Sequence, residues 1–218
     1  MRDPRDDGHS HALAPDDVIR RKVKAELRKR FRGLRKTTPA SSCLERSEKI
    51  VRALLEHPAV AAASSVALFW PIEQRHEVDL RSLDATLRAR GVALGYPAID
   101  GEAGVMTFRR VDDTAALAEA GLGFAEPAAG SPELAPLDVV VVPALAIDPR
   151  GHRVGYGAGW YDRTLGRYAP PACTIAVAFD WQLVVEVPTV ETDRAVDWIV
   201  TDARVLRASP DGAPPSDA

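Results

Sequence analysis

Several features that would commit the chain to a compartment or a partner are missing. It has two cysteines in 218 residues, Cys43 and Cys173. Far apart and without a CxxC, they indicate neither a zinc site nor a disulfide framework. No apolar run reaches the length of a membrane span and no secretory signal pattern occurs, which points to the cytoplasm. Cationic excess is also absent. Lys and Arg number 28 against 31 Asp and Glu, giving a net charge of −3 and a pI near 6.0, so nothing attracts nucleic acid globally. There is no internal repeat. GxxxxGK[ST] does not occur, which excludes a Walker loop. The dinucleotide pattern GxGxxG fails as well: its third glycine would fall on Trp160 or Asp162, depending on whether it starts at Gly155 or Gly157.

What remains suits one core. Apolar residues make up 46% of a 23.5 kDa chain, enough for a single domain of some size. Residues 1–17 are polar and Asp-rich and read as a disordered leader; residues 208–218, rich in Pro, Ser and Asp, read as a disordered tail. The domain is expected over 18–207. Its centre is the stretch 137–168. Val139 to Val142 form an apolar run without alternation, which suits a strand buried on both faces. Asp148-Pro149-Arg150-Gly151 supplies turn chemistry. Gly155-Tyr156-Gly157-Ala158-Gly159 then leads into a helix expected over Tyr161 to Tyr168. Strand, glycine-rich loop and helix start form the arrangement that cradles phosphate, since backbone N–H groups and the helix dipole both favour an anion. The same pattern also suits a merely tight strand-to-helix turn.

Elsewhere, residues 16–36 predict a helix whose stretch from Arg20 to Lys36 holds ten basic residues against the single acid Glu26. That suits either a solvated face or an anion site. Phe31 is the one aromatic residue among these charges, too few for a base-stacking platform, which argues against nucleic acid. A second helix is expected from Ser42 to Glu56, stopped by Pro58, and a third from Leu80 to Arg90, with Asp79 placed to cap it. Strands are expected at Ser65–Trp70, Val92–Tyr96, Gly104–Arg110 and Cys173–Phe179, with a last one at Ile199–Thr201. This alternation predicts a three-layer α-β-α domain of the α/β class with a mixed or mainly parallel sheet.

The run from Arg153 to Leu165, RVGYGAGWYDRTL, with Val142-Pro143, Ala146-Ile147-Asp148 and Gly151 ahead of it, resembles the signature of the 5-formyltetrahydrofolate cyclo-ligases. These are also called 5,10-methenyltetrahydrofolate synthetases. Lys24-Ala-Glu-Leu-Arg28, Glu77-Val78-Asp79, Gly123-Phe-Ala-Glu-Pro127 and the final Ile199-Val-Thr201 resemble further elements of that family, over roughly residues 20–206. Departures fall at Leu80, Ala158, Trp160 and Thr192, the last standing where the family has histidine.

The resemblance implies a compact fold like the ribose-phosphate isomerase and CoA-transferase group and a small-molecule folate substrate; a monomer with neither nucleic acid nor membrane as partner is the expected state. It implies an enzyme that uses ATP and Mg2+ to turn 5-formyltetrahydrofolate into 5,10-methenyltetrahydrofolate by phosphorylating the formyl oxygen. Nucleotide contacts are expected from Lys24, Arg28, Gly155, Tyr156, Gly157, Ala158, Gly159, Trp160, Tyr161, Asp162 and Arg163. Folate contacts are expected from Trp70, Glu77, Met106 and Trp160. Glu77, Asp162 and Arg153 are the expected catalytic groups, Asp162 also serving the magnesium ion, and Asp148 a loop cap. The substitutions near the site keep a second reading open: a nucleotide- or pterin-binding protein of this type without the ligase activity.

Overall fold

In a computed structural model of the chain, residues 14–119 and 123–209 are described. Among these residues the α-helices are α1 (Pro15–Thr37), α2 (Ala40–Glu56), α3 (Pro58–Ala61), α4 (Arg81–Ala89) and α5 (Trp160–Tyr168). The strands are β1 (Ser65–Ala67), β2 (Ala93–Asp100), β3 (Val105–Arg110), β4 (Ala118–Glu119), β5 (Ala125–Glu126), β6 (Val139–Pro143), β7 (Ala146–Ile147), β8 (Arg153–Val154), β9 (Cys173–Val177), β10 (Trp198–Val200) and β11 (Val205–Arg207).

The main sheet has seven strands in the order β11-β10-β9-β6-β1-β2-β3. The five central strands are parallel, and β3 and β11 close the two edges antiparallel. The four valines of β6 are all fully buried. Val139 and Val141 pack with α2 and α4 on one face, and Val140 and Val142 pack with Leu165 and Tyr168 of α5 on the other. The expected three layers are therefore present. A smaller cluster of Phe31, Leu145, Ala146, Val154 and Val187 seats α1 on the β7–β8 hairpin.

Most expected elements lie where the patterns put them, and the differences have local causes. Helix α1 begins at Pro15, three residues inside the stretch assigned to the leader. Proline fits the first helical turn, where its missing N–H costs nothing, and Asp16 and Asp17 favour the dipole there. Residues 1–13 and 210–218, the rest of the assigned leader and nearly all of the tail, lie outside the described residues. β2 runs through Pro97 rather than ending at Tyr96. The Gly95 carbonyl faces β1, accepting from Leu68 N at 2.9 Å. Two residues on, Pro97 turns its missing N–H to the same side, where the β1 ladder has ended at Ala67. β10 is not the last strand. Thr201 N donates to Arg204 O at 2.9 Å and its hydroxyl accepts from Arg204 N at 3.0 Å, turning the chain back into β11. Asp79 accepts from Arg81 N at 3.0 Å while Leu80 occupies the cap position of α4.

Successive strands are added on opposite sides of β1: β2 on one side, β6, β9 and β10 on the other. The crevice beyond the carboxyl ends of β1 and β6 is thus the switch point of the sheet, where ligands of open α/β sheets sit. The chain after β1 (Phe69, Trp70) and after β6 (Ala144, Leu145) opens into it.

Candidate active site

A cavity of about 1050 Å³ occupies this switch point, and every residue named above for nucleotide, folate or catalysis lines it. Three elements meet there: the glycine loop, helix α1, and the polar loop between β1 and α4.

The glycine loop takes its shape from two left-handed positions. Gly157 has φ +113° and Gly159, the residue before α5, has φ +68°. A side chain at either is strained whatever room it finds. Gly155 differs: its φ is not positive, and a Cβ there would meet nothing within 4 Å. The free protein therefore does not require glycine at 155. No side chain caps α5, so its first-turn N–H groups are open to an anion.

Helix α1 presents a stripe of cations to the cavity: Arg21, Lys24, Arg28, Arg32 and Arg35, spaced three, four, four and three residues apart. Such spacing keeps all five on one helix face. Only Lys24 and Arg28 were singled out by sequence; the full stripe was readable from the same spacing. Arg28 Nε donates to Gly155 O at 2.9 Å and Arg32 Nη2 to Tyr156 O at 3.0 Å, fastening the loop to the helix. Burial, and next the Arg32 charge beside it, lower the Arg28 pKa. Lys24 is buried and ion-paired with Asp193, whose Oδ2 also accepts from Val190 N at 2.8 Å. Nine cationic side chains line the cavity against three carboxylates, Glu77, Asp162 and Asp193. A chain with a net negative charge thus carries a strongly positive cleft.

Asp162, in the first turn of α5, accepts on Oδ1 from Arg153 Nη2 at 2.8 Å and from Arg194 N at 3.3 Å. Its Oδ2 accepts no hydrogen bond from the described residues. Arg153 is buried and also holds Arg194 O at 2.7 Å, so its guanidinium is committed to fixing Asp162 and the 190–194 loop. Arg163 Nη1 donates to Ala158 O at 3.0 Å, and its guanidinium lies 4.6 Å from the Trp160 ring centroid. Among the described residues, no group of three or more His, Cys, Asp and Glu is placed to hold a metal ion. Asp148 lies outside the cavity. Fully buried, it accepts from Arg150 N, His152 N and Val187 N, so it acts as the cap of the β7–β8 turn.

The opposite wall is apolar: Phe69, Trp70, Pro97, Ile99, Met106 and Phe124. Trp70 is held edge-on against Tyr96 at 6.1 Å, and the Met106 carbonyl accepts from Thr164 Oγ1 at 3.2 Å. Glu77 is the β1–α4 loop carboxylate that lines the cavity. It accepts from Ile72 N at 2.9 Å and from the Tyr156 hydroxyl at 2.5 Å, with Arg35 Nη1 3.9 Å away. Burial, and next the Glu77 charge, push the Tyr156 and Tyr161 hydroxyls well above the ordinary tyrosine range, so both stay proton donors. Ile99 and Arg75 were not singled out by sequence; Phe124 and Asp193 stood in stretches that resemble family elements but were given no role in the site.

A glycine loop at an uncapped helix start, a cationic helix face and an apolar wall with one carboxylate thus meet in one cavity. The sequence profile of the 5-formyltetrahydrofolate cyclo-ligase family matches residues 20–202. The chain belongs to that family. The 5-formyltetrahydrofolate cyclo-ligase of Escherichia coli K12 is 29% identical over 166 residues, covering 74% of this chain and 90% of that protein. The cyclo-ligase of Mycolicibacterium smegmatis is 46% identical over a shorter match of 71 residues, 33% of this chain and 37% of the relative. Among solved structures, the 5,10-methenyltetrahydrofolate synthetase of Aquifex aeolicus superposes with a TM-score of 0.74 at 31% identity, covering 85% of this chain and 93% of that one. As a cyclo-ligase family member the chain has its β6-to-α5 signature at the switch point of the sheet. No helix among the described residues is long and apolar enough to cross a membrane.

Proposed function

We infer that the chain is a 5-formyltetrahydrofolate cyclo-ligase, converting 5-formyltetrahydrofolate and ATP to 5,10-methenyltetrahydrofolate, ADP and phosphate. The observation that carries this reading is the meeting, in one cavity, of the glycine loop, the α1 cations and an apolar wall holding Glu77.

A formamide carbon is a weak electrophile and its oxygen a poor leaving group. Moving the γ-phosphoryl onto the formyl oxygen forms an O–P bond as the bond to ADP breaks. The nitrogen at position ten then attacks the activated carbon, the C–O bond breaks, and phosphate leaves with the nitrogen's proton. Such a sequence needs positioning and charge neutralisation more than covalent help from side chains. Gly155 to Gly159 and the α5 N–H groups are suited to the phosphates, with Lys24 and Arg28 neutralising their charge. The apolar wall suits the pterin and Glu77 its N–H donors. Magnesium, when bound, would supply charge neutralisation at the phosphates. Asp162 fits it through its unpaired Oδ2, the remaining positions falling to phosphate oxygens and water, as is usual for this ion. Arg153 then acts by holding Asp162. Thr192 lines the cavity, is exposed and makes no hydrogen bond with the described residues, and no step above asks for a base there. A cytoplasmic monomer remains the expected state, to be checked by sedimentation.

The test is the rise of methenyl absorbance when purified, folded protein is given 5-formyltetrahydrofolate, ATP and magnesium. ATP-dependent turnover is expected. Binding of both ligands without turnover would favour the binding-only reading instead.

A further inference from the structure

We propose that Tyr156 is a positioning residue whose hydroxyl sets the Glu77 carboxylate for the folate, tying the glycine loop to the folate side of the cavity. The proposal rests on the reading of Glu77 as the folate carboxylate.

Tyr156 sits between two glycines of the loop, yet its side chain does not reach toward the phosphate side. Its ring is flanked by two guanidiniums, Arg32 from α1 at 5.3 Å and Arg75 from the β1–α4 loop at 4.8 Å. Cations over an aromatic face attract it, and two of them restrict the ring. The hydroxyl is fixed as well. It donates to Glu77 Oε1 at 2.5 Å and accepts from Arg35 Nη1 at 3.2 Å. Arg35 is itself anchored, buried and donating to Ala144 O at 2.7 Å just after β6. Three elements thus converge on one phenol.

The consequence lies at Glu77. An ionised carboxylate has about four acceptor sites. Tyr156 takes one on Oε1 and Ile72 N takes one on Oε2. Each oxygen keeps one site for a ligand N–H, and the carboxylate plane is set from both ends. Without the phenol, Oε1 loses its donor while Arg35 Nη1 stands 3.9 Å away, close enough to draw the carboxylate into a direct pair. Glu77 would then turn toward the arginine and present the wrong oxygen geometry to the cavity. Because Tyr156 belongs to the glycine loop, the same contact transmits any shift of that loop to the folate subsite.

Calorimetric titration of 5-formyltetrahydrofolate, and separately of ADP, into the wild type and into Tyr156→Phe, Glu77→Gln and the double variant tests this. Tyr156→Phe is expected to weaken folate about tenfold, equivalent to about 1.4 kcal/mol, with ADP affinity within twofold of wild type. The double variant should bind folate no worse than Glu77→Gln alone, because both changes break one contact. Additive losses, or a loss confined to ADP, would overturn the assignment. Arg75 is exposed, so Arg75→Gln provides a variant that spares the core and loosens the ring. A folate loss of about threefold with ADP unchanged is expected, and no loss in either variant counts against the proposal. Wild type that binds ADP but no folate would overturn the functional reading along with it. Wild type that binds folate normally while Tyr156→Phe does the same overturns the proposal alone.

Discussion

A tyrosine, a carboxylate and an arginine are joined in the core and again at the cavity, with different surroundings. In the core, the Tyr96 hydroxyl donates to Asp84 Oδ1, and Arg88 holds both oxygens of that carboxylate at 3.0–3.2 Å between α4 and β2. At the cavity, the Tyr156 hydroxyl donates to Glu77 with Arg35 beside it. Tyr96 is fully buried and Asp84 nearly so; burial, then Asp84, push the Tyr96 hydroxyl far above its ordinary range. Tyr96 and Asp84 are enclosed by packed protein, with Arg88 reaching partly to solvent, whereas Glu77 and Tyr156 line a cavity of about 1050 Å³. Similar chemistry therefore does two jobs. Where every partner is internal, the trio fixes an element pair. Where one face is open and acceptor sites remain, it prepares a ligand contact.

The sharpest way to break the core trio is Asp84→Ala. It leaves a buried hydroxyl and a guanidinium without their acceptor. A loss of about 3–5 kcal/mol in denaturant unfolding is expected, with little change in folate affinity in the folded fraction.

On the cavity side, two glycines separate fold from ligand. Gly157→Val must adopt φ +113°. It should cost about 1–3 kcal/mol of stability and weaken ADP binding by more than about tenfold in calorimetry. Gly155→Ala meets open space in the free protein, so stability should change by less than about 0.5 kcal/mol. A fall in ADP affinity with an unchanged melt would then report crowding of the ligand itself. An unchanged affinity would show that position 155 does not approach the phosphates.

Tyr168 offers a test by pH. Burial, and next its hydrogen bond to Glu133, push its hydroxyl up to about 12, whereas in the unfolded chain it titrates near 10. The unfolded chain gives up this proton first. The stability is therefore present below pH 10 and lost as pH rises toward 12. Tyr168→Phe should flatten that part of the alkaline unfolding curve by on the order of 1–3 kcal/mol.

The smallest expected effect belongs to Thr192. Thr192→His should alter turnover by no more than about tenfold, or roughly 1.4 kcal/mol of barrier. Recovery of activity from an inert natural protein would instead give the position a chemical role.

The cavity signature was legible because it is contiguous: residues 153 to 163 carry glycine spacing and a helix start together. β6 was legible because four valines in a row leave no polar face. The α1 stripe was only half read, since its spacing was visible while its partners were not. Tyr156 illustrates what a sequence withholds. Its neighbours say loop, and its place opposite Glu77 depends on α1, the β1–α4 loop and the β7–β8 hairpin converging. Arg75, Phe124 and Asp193 reach the cavity from loops without a periodic pattern, so periodicity does not place them there, although Phe124 stands in a family-like stretch. The two-residue strands of the β7–β8 hairpin escaped for a similar reason, although Asp148 and Gly151 announced the turn between them.

One paired measurement bears most directly on the division of labour between the trios. Glu77→Gln and Asp84→Asn are both isosteric, and each is read for unfolding free energy in denaturant and for 5-formyltetrahydrofolate affinity by calorimetry. Asp84→Asn should lose about 2–4 kcal/mol of stability and keep its folate affinity within about twofold. Glu77→Gln should lose folate affinity by about tenfold or more, with the smaller loss of stability. If Glu77→Gln proves the more destabilising of the two and binds folate like the wild type, the cavity trio is a structural contact and the account is wrong.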